Sequence, residues 1–230
     1  MRFTLLVLGL VLAMLVPGVA LAQEQDRSFP DTGYTITSDA IWTYFNDHGG
    51  QSTFGLPISR SVTLFGTEVQ LFENAALQVQ PDGSVQPLQL TSAGLLPYAR
   101  FAGLTVPADD PAVGFVAPTS DQPNYAARLA AYLGATVGPR FSGYAQDVWG
   151  MPTSAPKADP NNPSFVYQRF QNGILMADLS SGSVAPLPLG TYLKDVLTGR
   201  GLPADLQSEV AASPLLGQLA ADVAFTPDAG

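Results

Sequence analysis

The chain repeats itself, and that duplication constrains the fold more than any other feature. Phe54-Gly55-Leu56-Pro57-Ile58-Ser59 returns as Trp149-Gly150-Met151-Pro152-Thr153-Ser154. Val69 to Asn74 returns as Tyr167-Gln168-Arg169-Phe170-Gln171-Asn172, and Gly83 to Leu90 returns as Gly182 to Leu189. The offset is 95 residues at the first glycine, 98 at Phe72 and Phe170, and 99 at the last glycine. Gly55, Pro57, Ser59, Gln70, Phe72, Asn74, Leu77, Gly83, Ser84, Val85, Pro87, Leu88 and Leu90 all match their counterparts. An ordered match of this kind is an internal repeat, so one supersecondary unit occurs twice.

Each copy reads as antiparallel β structure. Val69 and Leu71 alternate with Glu68, Gln70 and Phe72, and Leu77 and Val79 alternate with Gln78 and Gln80. Pro81-Asp82-Gly83 is a turn, because proline presets φ and glycine accepts positive φ. A three-stranded meander is expected from about Thr67 to Leu88. In the second copy Asn172-Gly173 is a strong hairpin signal. Helices flank the meanders. Ser38 is a candidate N-cap for a helix that carries Ile41, Trp42 and Phe45 and stops at Gly49-Gly50. Asn124 to Leu133 places Tyr125, Leu129, Tyr132 and Leu133 on one side. Tyr192, Leu193, Val196 and Leu197 form the apolar face of a later helix, and Pro203 opens another with Leu206 and Val210 inward. The expected class is α+β: two related antiparallel β-meander modules with packed short helices. The expected segments are a signal peptide (1–22), a first module (23–90), a Pro-rich linker (91–123), a second module (124–200), and C-terminal helices with a loose tail (201–230).

The Gly-x-Pro-x-Ser turn after an aromatic, followed by Tyr167-Gln168-Arg169-Phe170-Gln171 and Gly173, resembles the LGFP repeat family of bacterial cell-envelope proteins. The second copy carries the likeness. The first has Leu71, Glu73 and Ala75 where Arg, Gln and Gly would match, and the two copies sit nearly twice as far apart as tandem LGFP units. The resemblance covers about a third of the chain. It implies an exported, non-catalytic module associated with the cell wall, without a cofactor, whose motif residues are mainly structural.

The N-terminus points the same way. Arg2, the apolar run Leu5 to Val16, the breaker Pro17-Gly18 and Ala20-Leu21-Ala22 have the order of a secretory signal peptide with cleavage after Ala22. An uncleaved anchor is the alternative; once the signal is cleaved, no membrane span is expected. With no cysteine, the fold rests on core burial rather than disulfides, and thiolate chemistry is excluded. The formal charge of −9, with only Lys157 and Lys194 as lysines, argues against nucleic acid as a partner.

Candidate chemistry thins out under inspection. Ser154 and Lys157 have Ser-x-x-Lys spacing, but Pro152, Pro156 and Pro160 forbid the helix that would align them. His48, the one histidine, reads as a residue at a helix C-terminus rather than a triad base. Glu68 and Glu73 fall on opposite strand faces, and the repeat replaces them by Val166 and Gln171. Asp159-Pro160-Asn161-Asn162 lacks EF-hand ligand spacing and reads as a turn. Neither metal nor cofactor is expected.

Aromatics beside amides are the better signal, since a sugar ring offers an apolar face and hydroxyls that need donors and acceptors. The candidate binding residues are Trp149, Tyr167, Gln168, Arg169, Gln171 and Asn172. The expected function is an exported module that binds cell-wall glycan or peptide, with peptidoglycan or wall polysaccharide as partner. Two alternatives stand beside it. One is a structural or protein-interaction subunit of a surface complex; the other is a wall hydrolase using residues such as Glu68, Glu73 and Asp178.

Overall fold

The computed structural model describes residues 27–92, 95, 100–101, 104–105, 107–115, 117–144 and 146–228. The expected signal peptide lies outside them. A short hairpin, β1 (Ser28–Phe29) and β2 (Tyr34–Thr35), precedes helix α1 (Asp39–Asp47) and the single turn α2 (Gln51–Phe54). Strands β3 (Val62–Leu64), β4 (Thr67–Leu71), β5 (Ala76–Val79) and β6 (Val85–Pro87) then form one antiparallel sheet in sequence order. The connection holds β7 (Arg100–Phe101), β8 (Leu104–Thr105) and α3 (Pro111–Phe115). Next come α4 (Tyr125–Thr136), a 3-10 turn (Pro139–Phe141) and α5 (Gln146–Trp149). The second sheet, β9 (Lys157–Ala158), β10 (Phe165–Arg169), β11 (Ile174–Asp178) and β12 (Val184–Pro186), repeats the order of the first. Helices α6 (Leu189–Thr198) and α7 (Ala204–Val210) and a 3-10 turn (Val223–Phe225) close the chain.

The fold is therefore α+β with two similar modules. Several details differ from the sequence reading. The three-stranded meander has a fourth strand in each copy, because residues after the Gly-x-Pro-x-Ser turn add an outer strand, β3 or β9. Ser38 stands at the N-cap in extended backbone but makes no side-chain capping bond. The segment expected as a linker carries β7, β8 and α3 and is tied down where the Asp110 amide donates to Thr153 O at 2.7 Å. The tail is held as well. Asp228 donates its amide to Gly33 O at 2.7 Å and pairs with Arg60 at 2.7 Å.

The repeat is reproduced bond for bond. Phe72 bridges Pro57 as Phe170 bridges Pro152. The buried hydroxyl of Ser59 accepts the Leu71 amide at 2.9 Å, and that of Ser154 accepts the Arg169 amide at 3.0 Å. Glu73 accepts the Leu56 amide at 2.9 Å where Gln171 accepts the Met151 amide at 3.0 Å. Asn74 donates to Thr53 O, and Asn172 to Val148 O. Gln70 donates to the carbonyls of Thr35 and Ser59, and Gln168 to those of Thr136 and Ser154. That last pair extends the repeat upstream, to Thr35-Ile36 and Thr136-Val137, where sequence identity had stopped.

The modules also complete one another. After the first meander, Thr91 donates its hydroxyl to Phe170 O at 2.7 Å and Gln171 O at 2.8 Å in the second. After the second, Thr191 donates its amide to Glu73 O at 3.0 Å in the first. Gly190 packs so closely there that a Cβ would overlap the Phe72 carbonyl. Lys194 reaches Ile58 O at 2.8 Å. Two apolar cores result, and each draws on both copies. One joins Val62, Leu71 and Leu90 to Ile174, Leu187, Leu193 and Val196. The other joins Ile41, Phe45, Phe54 and Phe72 to Phe141, Trp149 and Phe170.

Candidate functional site

The repeat brings the candidate binding residues of the second copy together, but inside the fold. Tyr167, Gln168 and Arg169 are consecutive on β10 and all buried, Trp149 is 1% exposed, and Asn172 is buried at the hairpin. Among these six, Gln171 alone is exposed. Their polar atoms are already engaged. Gln168 makes two carbonyl bonds and accepts the Gly138 amide at 2.9 Å. Arg169 donates to Pro107 O at 2.8 Å and Thr91 O at 3.3 Å, with the Asp109 carboxylate 3.9 Å away. The Trp149 ring lies against Gly173, where a Cβ would come within 2.6 Å of it. Burial pushes the Tyr167 phenol up to about 12, with the Asp159 carboxylate adding to the rise. A ligand at the surface finds no aromatic face on Trp149 or Tyr167.

The acidic candidates are engaged locally. Glu68 accepts from Ser61 at 2.8 Å, and Glu73 from the Leu56 amide. Asp178 caps its own turn through Ser180 and Ser181, whose hydrogen bonds hold its carboxyl below the usual range. Ser154 and Lys157 do not share a helix: Ser154 is buried and Lys157 begins β9. Among the described residues no group of three or more His, Asp or Glu could hold a metal ion.

A groove with aromatic and carboxylate side chains lies elsewhere, at the exposed side of α1. It has a volume of about 450 Å³ and is lined by Asp39, Thr43, Tyr44, Asp47 and His48, with Gly83 from the β5–β6 turn and Val85 from the start of β6. Two helical rows supply it, 39-43-47 and 40-44-48, the side opposite buried Ile41 and Phe45. The Tyr44 and His48 rings stack with centroids 3.8 Å apart. Burial first, and the Asp147 carboxylate second, push the Tyr44 phenol up to about 12. Arg27 pairs with Asp39 at 2.6 Å and lies 5.6 Å over the Trp42 ring, bracing the first turn of α1. The sequence contained this signal as polar residues at i, i+4 and i+8, a pattern shared by any solvated helix face.

No protein-family model matches the chain, and no curated protein matches it. Among the described residues no helix is long and apolar enough to cross a membrane.

Proposed function

We propose that the chain is an exported, non-catalytic binding module of the bacterial cell envelope, whose ligand is wall glycan or peptide held in the α1 groove. The supporting observation is the division of labour between the two sets of residues. The repeat-motif side chains are spent on bonds within the fold, whereas the α1 groove offers an aromatic wall, a phenol and carboxylate acceptors to solvent. Stacking against ring carbons plus hydrogen bonds to hydroxyls is how such a surface recognises a sugar. The acidic rim disfavours anionic polymers and suits neutral or amine-bearing ones. The LGFP-like motifs and the N-terminal signal pattern agree with this setting.

The test is co-sedimentation with insoluble peptidoglycan and with wall polysaccharide, using Tyr44→Ala and Thr43→Ala against the parent chain. Salt-tolerant pelleting that is lost in Tyr44→Ala supports the reading. Pelleting unchanged by either substitution contradicts the groove assignment, and no pelleting contradicts wall binding itself.

A second reading, a protein-interaction subunit, has one observation of its own. Phe65 sits on the β3–β4 turn with φ of 56° and is 56% exposed. A bulky side chain in left-handed backbone is uncommon, and turns of this kind favour Asn or Gly. Capture of a protein partner that depends on Phe65, without wall binding, would favour this reading.

A further inference from the structure

We propose that His48 and Asp147 form a proton-operated latch between the modules: a protonated His48 clamps α1 of the first module to α5 of the second, and a neutral one releases them. His48 is the one histidine in the chain. Its Nδ1 lies 2.8 Å from the carbonyl of Tyr44, and its Nε2 lies 3.3 Å from Oδ2 of Asp147. Both neighbours can only accept. A neutral imidazole carries one N–H, so whichever acceptor it serves, its other nitrogen turns a lone pair toward the remaining oxygen. Only the imidazolium donates at both nitrogens. The ring is held in that position by stacking on Tyr44, with an interplanar angle of 17°.

The charged groups that face His48 are all carboxylates. From α1, Asp39 and Asp47 share the groove with His48, beside the neutral phenol of Tyr44. From α5 comes Asp147, and the uncharged Gly83 and Val85 come from the β5–β6 turn and the start of β6. Asp82 on that turn is occupied by Ser84. The Asp147 carboxylate also adds, after burial, to the upward push on the Tyr44 phenol in the same ring stack. The contact joins residues 99 apart in sequence, and it adds an ion pair to the apolar cores and to the hydrogen bonds that Thr91, Thr191, Arg169 and Lys194 make between the copies. Histidine is the side chain that changes charge between mildly acidic and neutral conditions, so the junction is tighter on the acidic side. The pair is partly solvated, with side-chain exposures of 23% and 62%, so its effect is small and salt-sensitive. The proposal does not depend on the identity of any groove ligand.

The test is a double-mutant cycle with H48Q and D147N, read as thermal midpoints in low salt at about pH 5.5 and about pH 8. The expected result is a coupling between the two positions of about 1–3 °C at the lower pH, which vanishes at the higher pH and shrinks with added salt. Coupling that is equal at both pH values, absent at both, or larger at the higher one overturns the proposal. Asp147 is exposed, so D147N keeps the fold, and hydrogen exchange gives a second reading. Corrected for intrinsic rates, the amides of 146–149 should exchange more slowly at the lower pH in the parent chain and not in D147N. An identical pH response in both proteins also overturns it.

Discussion

The hydroxyl of Thr91 donates at 2.7 Å to the carbonyl of Phe170, 79 residues away in the other copy of the repeat. Its counterpart is the amide of Thr191, which donates to the carbonyl of Glu73 at 3.0 Å. The segment leaving each meander thus docks on the tight hairpin of the other. A duplicated chain built this way does not make two beads on a string. Each unit leaves its hairpin carbonyls and one sheet face uncovered, and the exit segment of its twin covers them.

The tightest point of that exchange is Gly190. A Cβ there would overlap the Phe72 carbonyl and come 2.6 Å from Ala75 O. Both obstacles are backbone, so they cannot turn aside. Gly190→Ala should destabilise the protein by about 3 kcal/mol despite alanine's better helix propensity. Urea unfolding checks it, and a loss under about 1 kcal/mol would mean that α6 can shift off the hairpin.

The two equivalent glutamines should not weigh the same. Gln168 satisfies three buried backbone groups, at Thr136, Ser154 and Gly138. Gln70 satisfies two, at Thr35 and Ser59, and its buried Oε1 has no partner among the described residues. Orphaning buried groups costs about 1–3 kcal/mol each, with partial relief by water. Gln168→Ala should therefore cost about 3 kcal/mol and Gln70→Ala about 2 kcal/mol, compared by denaturant midpoints.

Trp149→Ala removes a buried indole from the core that contains Phe141 and Phe170. It should cost about 4 kcal/mol through lost burial and a cavity. Any loss of wall binding should track the unfolded fraction. Binding lost from a chain that remains folded, shown by near-ultraviolet circular dichroism, would return Trp149 to the binding site.

Alkaline pH should destabilise the protein through the half-buried phenol of Tyr44 and the buried one of Tyr167. Tyr44 and Tyr167 are both pushed up to about 12, chiefly by burial. Their folded values lie above the unfolded value near 10, so their stabilising contribution is complete below about pH 10 and is lost as pH rises toward about 12. The Tyr167 hydroxyl is also buried, with no hydrogen-bond partner among the described residues. Tyr167→Phe should therefore be neutral to stabilising near pH 7 and should raise the alkaline midpoint. Stability curves against pH for the parent chain and Tyr167→Phe check both.

The sequence exposed the repeat, its hairpins and the helices at 39–47 and 189–198, because these depend on local turn chemistry and periodicity. It misled at β10. Aromatics beside amides there suggested a ligand-binding surface, yet Tyr167, Gln168 and Arg169 are all buried because both faces of the strand are covered. A polar side chain on a covered strand binds backbone carbonyls, and nothing in the residue type distinguishes that from a surface position. The cross-docking at Thr91 and Thr191 was equally hidden, since its acceptors are main-chain carbonyls that any residue supplies. The α1 groove was legible only as a polar helix face, until the fold set Val85 and His48 beside it.

The reciprocal build has one direct test. The chain has two tryptophans, Trp42 in the first copy and Trp149 in the second. Trp42→Phe leaves fluorescence to report the second module, and Trp149→Phe leaves it to report the first. Each variant is unfolded in urea and followed by fluorescence and by far-ultraviolet circular dichroism. If the copies form one folding unit, the two signals coincide in a single transition in both variants. Fluorescence that moves apart from circular dichroism in either variant, with two separable transitions, would contradict it.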